Sequence, residues 1–362
     1  MKTEEIIQGV PKVQLHDHLD GSLRPSTIIE LAEKNNYKNL PTHDVDKLTD
    51  WFHRGANKGS LGEYLEGFAH TCAVMQTKGS LERIAYEMIE DSAKDGVCYI
   101  ETRFAPVFHT QKGLHYDEIV NAVLRGLERG KKDFGTGYGL ILCGMRNMHN
   151  SLEIAELAVN YRNRGVVGFD LAGEEGGYPP KKHIEAFQFI MRENFNITIH
   201  AGEAFGQESI WQAIQFCGAH RIGHATRLKE DFTYDQNGEL IALGNLAQYV
   251  LDKRLPLEIC LLSNVCTGAI DKLGNHPFID LYKQKFRVFL NTDGRLMSNT
   301  SLTHEYVTAS KVFDITLDDI EKLNINAMKS SFLTYEERLK YIYEVIKPGF
   351  QNMREKLLSL KV

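Results

Sequence analysis

Lys12-Val13-Gln14-Leu15-His16-Asp17-His18-Leu19-Asp20 alternates polar and apolar side chains, then offers two histidines and two aspartates within five residues. On an extended strand, side chains two apart share a face. His16 and His18 therefore project together, with Asp20 just beyond them, while Val13, Leu15 and Leu19 point the other way. Two imidazoles converging at a strand end are a natural start for a metal site. Alone, such a pair is weak evidence and also reads as surface histidines, so both readings stay open.

The surrounding chain decides what the strand belongs to. Short apolar runs that read as strands fall at 12–18, 97–104, 138–145, 166–171, 196–200, 221–224, 256–263 and 286–292. Helical patterns separate most of them, at 81–94, 116–131, 151–164, 180–194 and 206–216. Alternating β and α with buried strands implies a parallel sheet. Eight strands favour a closed α/β fold, the (β/α)8 TIM barrel, over an open doubly wound sheet. The open sheet would also want a Gly-x-Gly-x-x-Gly turn after its first strand, and none is present.

Three regions exceed what a barrel needs. Residues 25–80 read as extra helices after strand one. Residues 226–255 hold a polar turn, Asp235-Gln236-Asn237-Gly238, ahead of a helix. Residues 300–362 read as a helical tail placed to close the barrel's base. No linker, repeat or low-complexity tract interrupts the chain, so residues 1–362 are expected to form a single domain. Leu61, Tyr64, Leu65 and Phe68 share one helix face; they are either core packing or an apolar lid over the barrel mouth.

Bulk properties exclude several classes. The chain has 362 residues, is 43% hydrophobic and 25% charged, and carries a net charge of -6, which gives no support for a nucleic-acid partner. No apolar window is long enough to span a membrane. Met1-Lys2-Thr3-Glu4-Glu5 lacks an apolar signal core. The six cysteines are scattered without a Cys-x-x-Cys pair and read as reduced thiols of a cytoplasmic protein.

Barrel enzymes place their active sites at the C-terminal strand ends. Those ends carry His16 and His18, Asp170, His200 with Glu203, His224, Glu258 with Ser263 and Asn264, and Asp293. Four of the fourteen histidines fall on these few positions, which favours function over structural histidine. Three imidazoles and a carboxylate suit a zinc-type ion with an open position. Such an ion makes hydroxide available at neutral pH. Glu203 is placed to act as a general acid beside it, and His224 adds a second proton-handling group. Taken singly, Glu203 also reads as a helix-terminal charge and His224 as a core histidine. Strand four contains no lysine to bridge two ions, so a single metal is the simpler reading.

His16-Asp17-His18-Leu19-Asp20-Gly21-Ser22, Phe169-Asp170-Leu171-Ala172-Gly173-Glu174-Glu175, His200-Ala201-Gly202-Glu203, Arg221-Ile222-Gly223-His224 and Asn291-Thr292-Asp293 occur in that order. Together they resemble the adenosine deaminases, over roughly residues 8–345. The resemblance implies a zinc-containing barrel that hydrolyses adenosine, and usually 2'-deoxyadenosine, to inosine and ammonia. It implies that His16, His18, His200 and Asp293 bind one zinc ion and that Glu203 protonates purine N1. His224 would orient or deprotonate the water and stabilise the developing alkoxide. Gly173 would meet purine N3 and Asp20 a ribose hydroxyl. Glu258 would stand behind the histidine of strand six. His18, Leu61, Tyr64 and Phe68 would line or cover the substrate.

One position departs from the pattern. The family usually carries a second acid directly after the zinc aspartate, facing purine N7, where this chain has Gly294 and then Arg295. Two alternatives therefore stay beside the leading one: a deaminase for another 6-aminopurine or a modified nucleoside, and a non-catalytic nucleoside-binding protein on the same barrel. The oligomeric state is not readable from the sequence.

Overall fold

The computed structural model describes residues 2–360. The strands run β1 (Lys12–His18), β2 (Val97–Phe104), β3 (Gly137–Met145), β4 (Val166–Ala172), β5 (Thr198–Ala201), β6 (Arg221–His224), β7 (Phe232–Tyr234), β8 (Leu240–Leu243), β9 (Pro256–Ile259) and β10 (Arg287–Leu290). Two parallel four-stranded sheets, ordered β1-β2-β3-β4 and β10-β9-β6-β5, meet at both edges. Parallel bridges Phe169 to Ile197 and Asp17 to Asp293 close the ring. The result is the eight-stranded α/β barrel expected from the sequence, with every barrel strand overlapping a run read as one.

The strands are covered on both faces, which is why they read as near-continuous apolar runs. Their outward side chains, such as Val13, Leu15 and Ile100, pack against the helices in one continuous core. The barrel interior is unusually charged. Arg221 Nε donates to Glu258 at 2.6 Å and its Nη1 to Glu101 at 2.6 Å. Arg103 donates to Glu258 at 2.9 Å and to Asp170 at 3.2 Å. All five side chains are buried, so each depends on its partners; removing one member of a buried pair typically costs about 3–5 kcal/mol.

The extra segments lie largely as expected. Helices Pro25–Lys34, Val45–Ala56, Leu61–Glu66 and Phe68–Val74 fill the stretch after β1. The C-terminal tail closes the barrel's base. Helix Leu317–Ser330 places Asn324 Oδ1 to accept from Val13 N at 2.8 Å, and Ser330 O to accept from Arg221 at 3.0 Å.

Two expectations are corrected. The run 256–263 is not one strand: β9 stops at Ile259 and a helix, Leu261–Cys266, follows. Glu305 accepts from Leu261 N at 3.1 Å and so satisfies a free donor at that helix start. Ser263 and Asn264 therefore sit on a helix above the barrel mouth. The segment 226–255 also holds more than a turn and a helix. It carries an antiparallel hairpin, β7 with β8, pairing Phe232 with Leu243 and Thr233 with Ala242. Among the described residues, no helix is long and apolar enough to cross a membrane.

Candidate active site

The C-terminal strand ends bring five groups together. His18 Nε2 lies 3.1 Å from His200 Nε2 and 3.1 Å from Asp293 Oδ1. His16 Nε2 is 3.5 Å from the same Asp293 oxygen. The His224 ring stands 4.9 Å from that of His16 and 5.3 Å from that of His200. Backbone geometry aims two of these side chains: His224 and Asp293 are left-handed, at φ 65° and 58°. Non-glycine residues held there store roughly 1–3 kcal/mol each, a strain found at functional sites. The seam between β10 and β1 puts Asp293 beside both histidines, since Asp293 N donates to His16 O at 3.1 Å. Gly223 makes room for the cluster, because a Cβ there would stand 3.1 Å from the His16 ring.

The outer ring nitrogens set the protonation pattern. His16 Nδ1 meets Glu258 at 2.7 Å, and His200 Nδ1 meets Asp170 at 3.0 Å. Burial alone would raise the Glu258 carboxyl, but Arg103 and Arg221 hold it well below the usual carboxylate range. Both carboxylates are thus acceptors, both Nδ1 atoms carry the proton, and both Nε2 lone pairs face inward. Burial also pushes the His200 imidazole down to about 3, keeping it neutral. Ser263 Oγ donates to Asp293 Oδ2 at 2.5 Å, which leaves Oδ1 for the imidazoles.

His224 is held the opposite way. Phe278 N donates to His276 Nδ1 at 3.0 Å, so the neutral His276 proton is on Nε2. That nitrogen reaches Asn264 Oδ1 at 3.2 Å, and Asn264 Nδ2 then donates to His224 Nδ1 at 2.9 Å. His224 therefore presents Nε2–H. This corrects one expectation: Glu258 does not stand behind His224 but behind His16, because it points into the barrel interior below the rings. Asn264 and His276 take the place assigned to it.

A metal fits this cluster on its own evidence. His16 Nε2 is buried without a hydrogen-bond partner. Ligand atoms from His16, His200, His224 and Asp293 lie within 4.8 Å of one another. His18 Nε2 adjoins this group, 3.1 Å from both His200 Nε2 and Asp293 Oδ1. Since His224 offers N–H, the donor set with free electron pairs is His16, His18, His200 and Asp293, which could hold a zinc-type ion.

Glu203 stands at the rim. Burial, with the Asp293 and Glu175 charges behind it, pushes its carboxyl up to about 8. Its Oε1 accepts from Thr267 at 3.0 Å, and its Oε2 is 3.6 Å from His224 Nε2. The turn that carries it is built by Glu175, which accepts from the backbone N–H groups of Gly202, Glu203, Ala204 and Phe205 at 2.7–3.0 Å. A cavity of about 460 Å³ opens over these groups, lined by His18, Asp20, Leu61, Tyr64, Phe68, Gly173 and Glu203 among others. Every expected substrate-contact residue lines this one cavity.

Residues 11–348 match the sequence profile of the family described as adenosine deaminase. The chain belongs to the adenosine deaminase family. It is 50% identical over 357 residues to adenosine deaminase 1 of Streptomyces coelicolor, covering 97% of this chain and 90% of that relative. Adenosine deaminase of Mycobacterium ulcerans is 49% identical over 355 residues, 97% of this chain and 98% of the relative. Among solved structures, adenine deaminase from Arthrobacter aurescens superposes with TM-score 0.83 at 26% identity, covering 93% of this chain and 98% of that one. The Arabidopsis N6-mAMP deaminase does so with TM-score 0.80 at 28% identity, over 96% of this chain and 99% of that one.

Several residues that shape the site went unassigned in the sequence. Asp170 had been noted only as a strand end. Arg103 had a signal, a charge inside a buried strand, and Glu175 another, the second acid after Gly173. Ser263, like Asp170, was read only as a strand end, and His276 and Thr267 had no signal, because their contacts are made across the barrel mouth.

Proposed function

We propose that this chain hydrolyses adenosine, and 2'-deoxyadenosine as well, to inosine and ammonia, with one zinc-type ion per chain and residues 1–362 acting as one unit. The observation that carries the reading is Glu203: a buried carboxyl, its pKa raised by that burial, faces the cavity beside a cage of imidazoles, with Oε2 3.6 Å from His224 Nε2. A protein that only binds nucleosides has no use for such a proton donor.

His16, His18, His200 and Asp293 would hold the ion. When bound, zinc supplies Lewis acidity that brings the pKa of water toward 7. Glu203 gives its proton to purine N1, which draws electrons from C6. The water oxygen bonds to C6 and gives up its two protons, one restoring the Glu203 carboxyl and one going to the amino nitrogen, and the C6–amino bond breaks as that nitrogen leaves as ammonia. His224, held as the Nε2–H tautomer, donates to the oxygen that gains charge during attack, an oxyanion-hole role. The same tautomer disfavours it as the base.

Asp20 would receive a ribose hydroxyl, Gly173 would present backbone to N3, and Leu61, Tyr64 and Phe68 would cover the base and exclude water. The cavity favours a nucleoside over a nucleotide. No lysine or arginine lines it among the described residues, so a phosphate would enter without a partner. The six cysteines are free thiols, as a cytoplasmic location would keep them.

A substrate panel on metal-analysed protein tests this reading. Adenosine and 2'-deoxyadenosine should be turned over with kcat/KM at least about a hundredfold above adenine, AMP and N6-methyl-AMP, the scale set by leaving buried polar groups unpaired. Faster turnover of any of those three would overturn it.

A further inference from the structure

A second group of potential ligands lies at the edge of the same cavity. Asp20 sits on the turn that follows β1, Cys72 on helix Phe68–Val74 and His109 on the turn Pro106–His109 after β2. One ligand atom from each lies within 4.8 Å of the other two, and all three residues are buried. Asp20 and Cys72 line the cavity, whereas His109 stands outside its lining and packs against Phe104, with ring centroids 5.5 Å apart.

The polar atoms here are unsatisfied. Apart from a loose contact with the Met75 backbone, the buried ring nitrogens of His109 have no hydrogen-bond partner, and Asp20 Oδ1 is buried without one as well. Buried polar groups are ordinarily paired, and an unpaired histidine beside an unpaired carboxyl and a thiol calls for an occupant. Asp20 Oδ1 is also 3.9 Å from His18 Nδ1, so the group adjoins the imidazole cage without sharing its inward-facing atoms.

We propose that Asp20, Cys72 and His109 form a second site, for a soft or borderline divalent cation, whose occupation blocks the nucleoside cavity. One sulfur, one nitrogen and one oxygen suit Cd2+ or excess Zn2+ and not Mg2+ or Ca2+, which prefer oxygen alone. Binding forms a metal–sulfur bond and releases the Cys72 proton to water. The thiolate and carboxylate then neutralise the dication, so the buried set carries no net charge. An ion there takes Asp20 out of the cavity lining and competes with substrate. That competition rests on the nucleoside reading of the cavity; the binding itself does not.

The test titrates the zinc-loaded protein with Cd2+. Three quantities are followed: the ultraviolet thiolate-to-cadmium charge-transfer band, zinc retained after desalting, and adenosine turnover. Cys72→Ala and His109→Phe are compared with wild type after each is shown to keep its zinc and a cooperative thermal transition. The expected result is a band saturating at about one Cd2+ per chain in wild type, absent in C72A and shifted to at least about tenfold higher Cd2+ in H109F. Inhibition should be competitive with adenosine and relieved by both substitutions. A band of equal size in C72A would place the ion on another thiol and overturn the proposal. Zinc release with unaltered inhibition in both variants would place it in the imidazole cage and overturn it equally. The band needs no turnover, so its absence counts against this site and leaves the deaminase reading standing.

Discussion

The hydroxyl of Tyr64 lies 2.9 Å from the point where a side chain on Gly294 would begin. Tyr64 Oη is buried there, with Ser298 Oγ at 3.0 Å and Gly294 O at 3.4 Å. The missing acid after Asp293 is therefore not an empty place: the tyrosine fills it. Backbone strain is not the reason for glycine, since its φ of -76° is open to any residue. Gly294→Asp should collide with Tyr64, displace the lid and raise KM about tenfold. Combining it with Tyr64→Phe should restore most of the loss, a coupling on the order of 0.5–3 kcal/mol in a double-mutant cycle. Additive effects in steady-state kinetics would mean that the two positions are independent.

Glu203→Gln keeps the shape of the side chain and removes the proton it would deliver. General acid–base groups contribute roughly 10²–10⁴-fold, so kcat should fall by at least about a hundredfold. Zinc content should not change, because Glu203 is outside the donor set. Stopped assays on metal-analysed protein decide this, and a rate within about threefold of wild type would remove Glu203 from the chemistry.

The chain from His276 through Asn264 makes its own prediction. In His276→Leu the Asn264 amide is free to flip, and His224 loses the contact that fixes its tautomer. A lost outer partner of this kind costs about tenfold or more, here expected in kcat with KM little moved. Nitrogen-15 shifts of the His224 ring should change from protonated Nε2 to a mixture. An unchanged spectrum would show that the amide does not set the tautomer.

Removing the metal should abolish turnover and lower the thermal midpoint together. An ion that binds only the folded chain adds about 1.4 kcal/mol for each tenfold excess over its Kd. Chelated protein should regain both properties with about one equivalent of Zn2+, and His16→Ala should regain neither. Calorimetry with elemental analysis reads the two quantities side by side.

Glu305, buried at the start of helix Leu261–Cys266, gives a pH dependence. Burial pushes its carboxyl up to about 8, while the unfolded chain titrates near 4.5. Between those values the folded state holds a proton that the unfolded state has released, so stability falls as pH rises through the window. Each unit of displacement is worth about 1.4 kcal/mol, so a loss of a few kcal/mol is expected by pH 8. Denaturant midpoints of Glu305→Gln should lack this component. Parallel pH curves for the two proteins would show that Glu305 does not titrate in the window.

How much of this could be read in the chain depends on the range of each interaction. The eight barrel strands and most of the helices between them are written locally, as runs and periods of apolar side chains, and those were visible. The clustered histidines, Glu203 and Asp293 were visible too, because a parallel barrel delivers every strand end to one face whatever the intervening loops do. Short segments were less clear. Leu261-Leu262-Ser263-Asn264 reads as the end of a strand until Glu305 caps it as a helix, and a stretch of four residues is too short for a period to tell the two apart. The half-exposed hairpin β7–β8 hid for the same reason. Partner choice was not written locally at all. That Glu258 meets His16, that Asn264 and His276 set the His224 proton, and that Tyr64 fills the place beside Gly294 all follow from which side chains converge when distant strands and loops close around the barrel mouth. Those distances are set by register and curvature of the whole ring, which no single stretch of sequence carries.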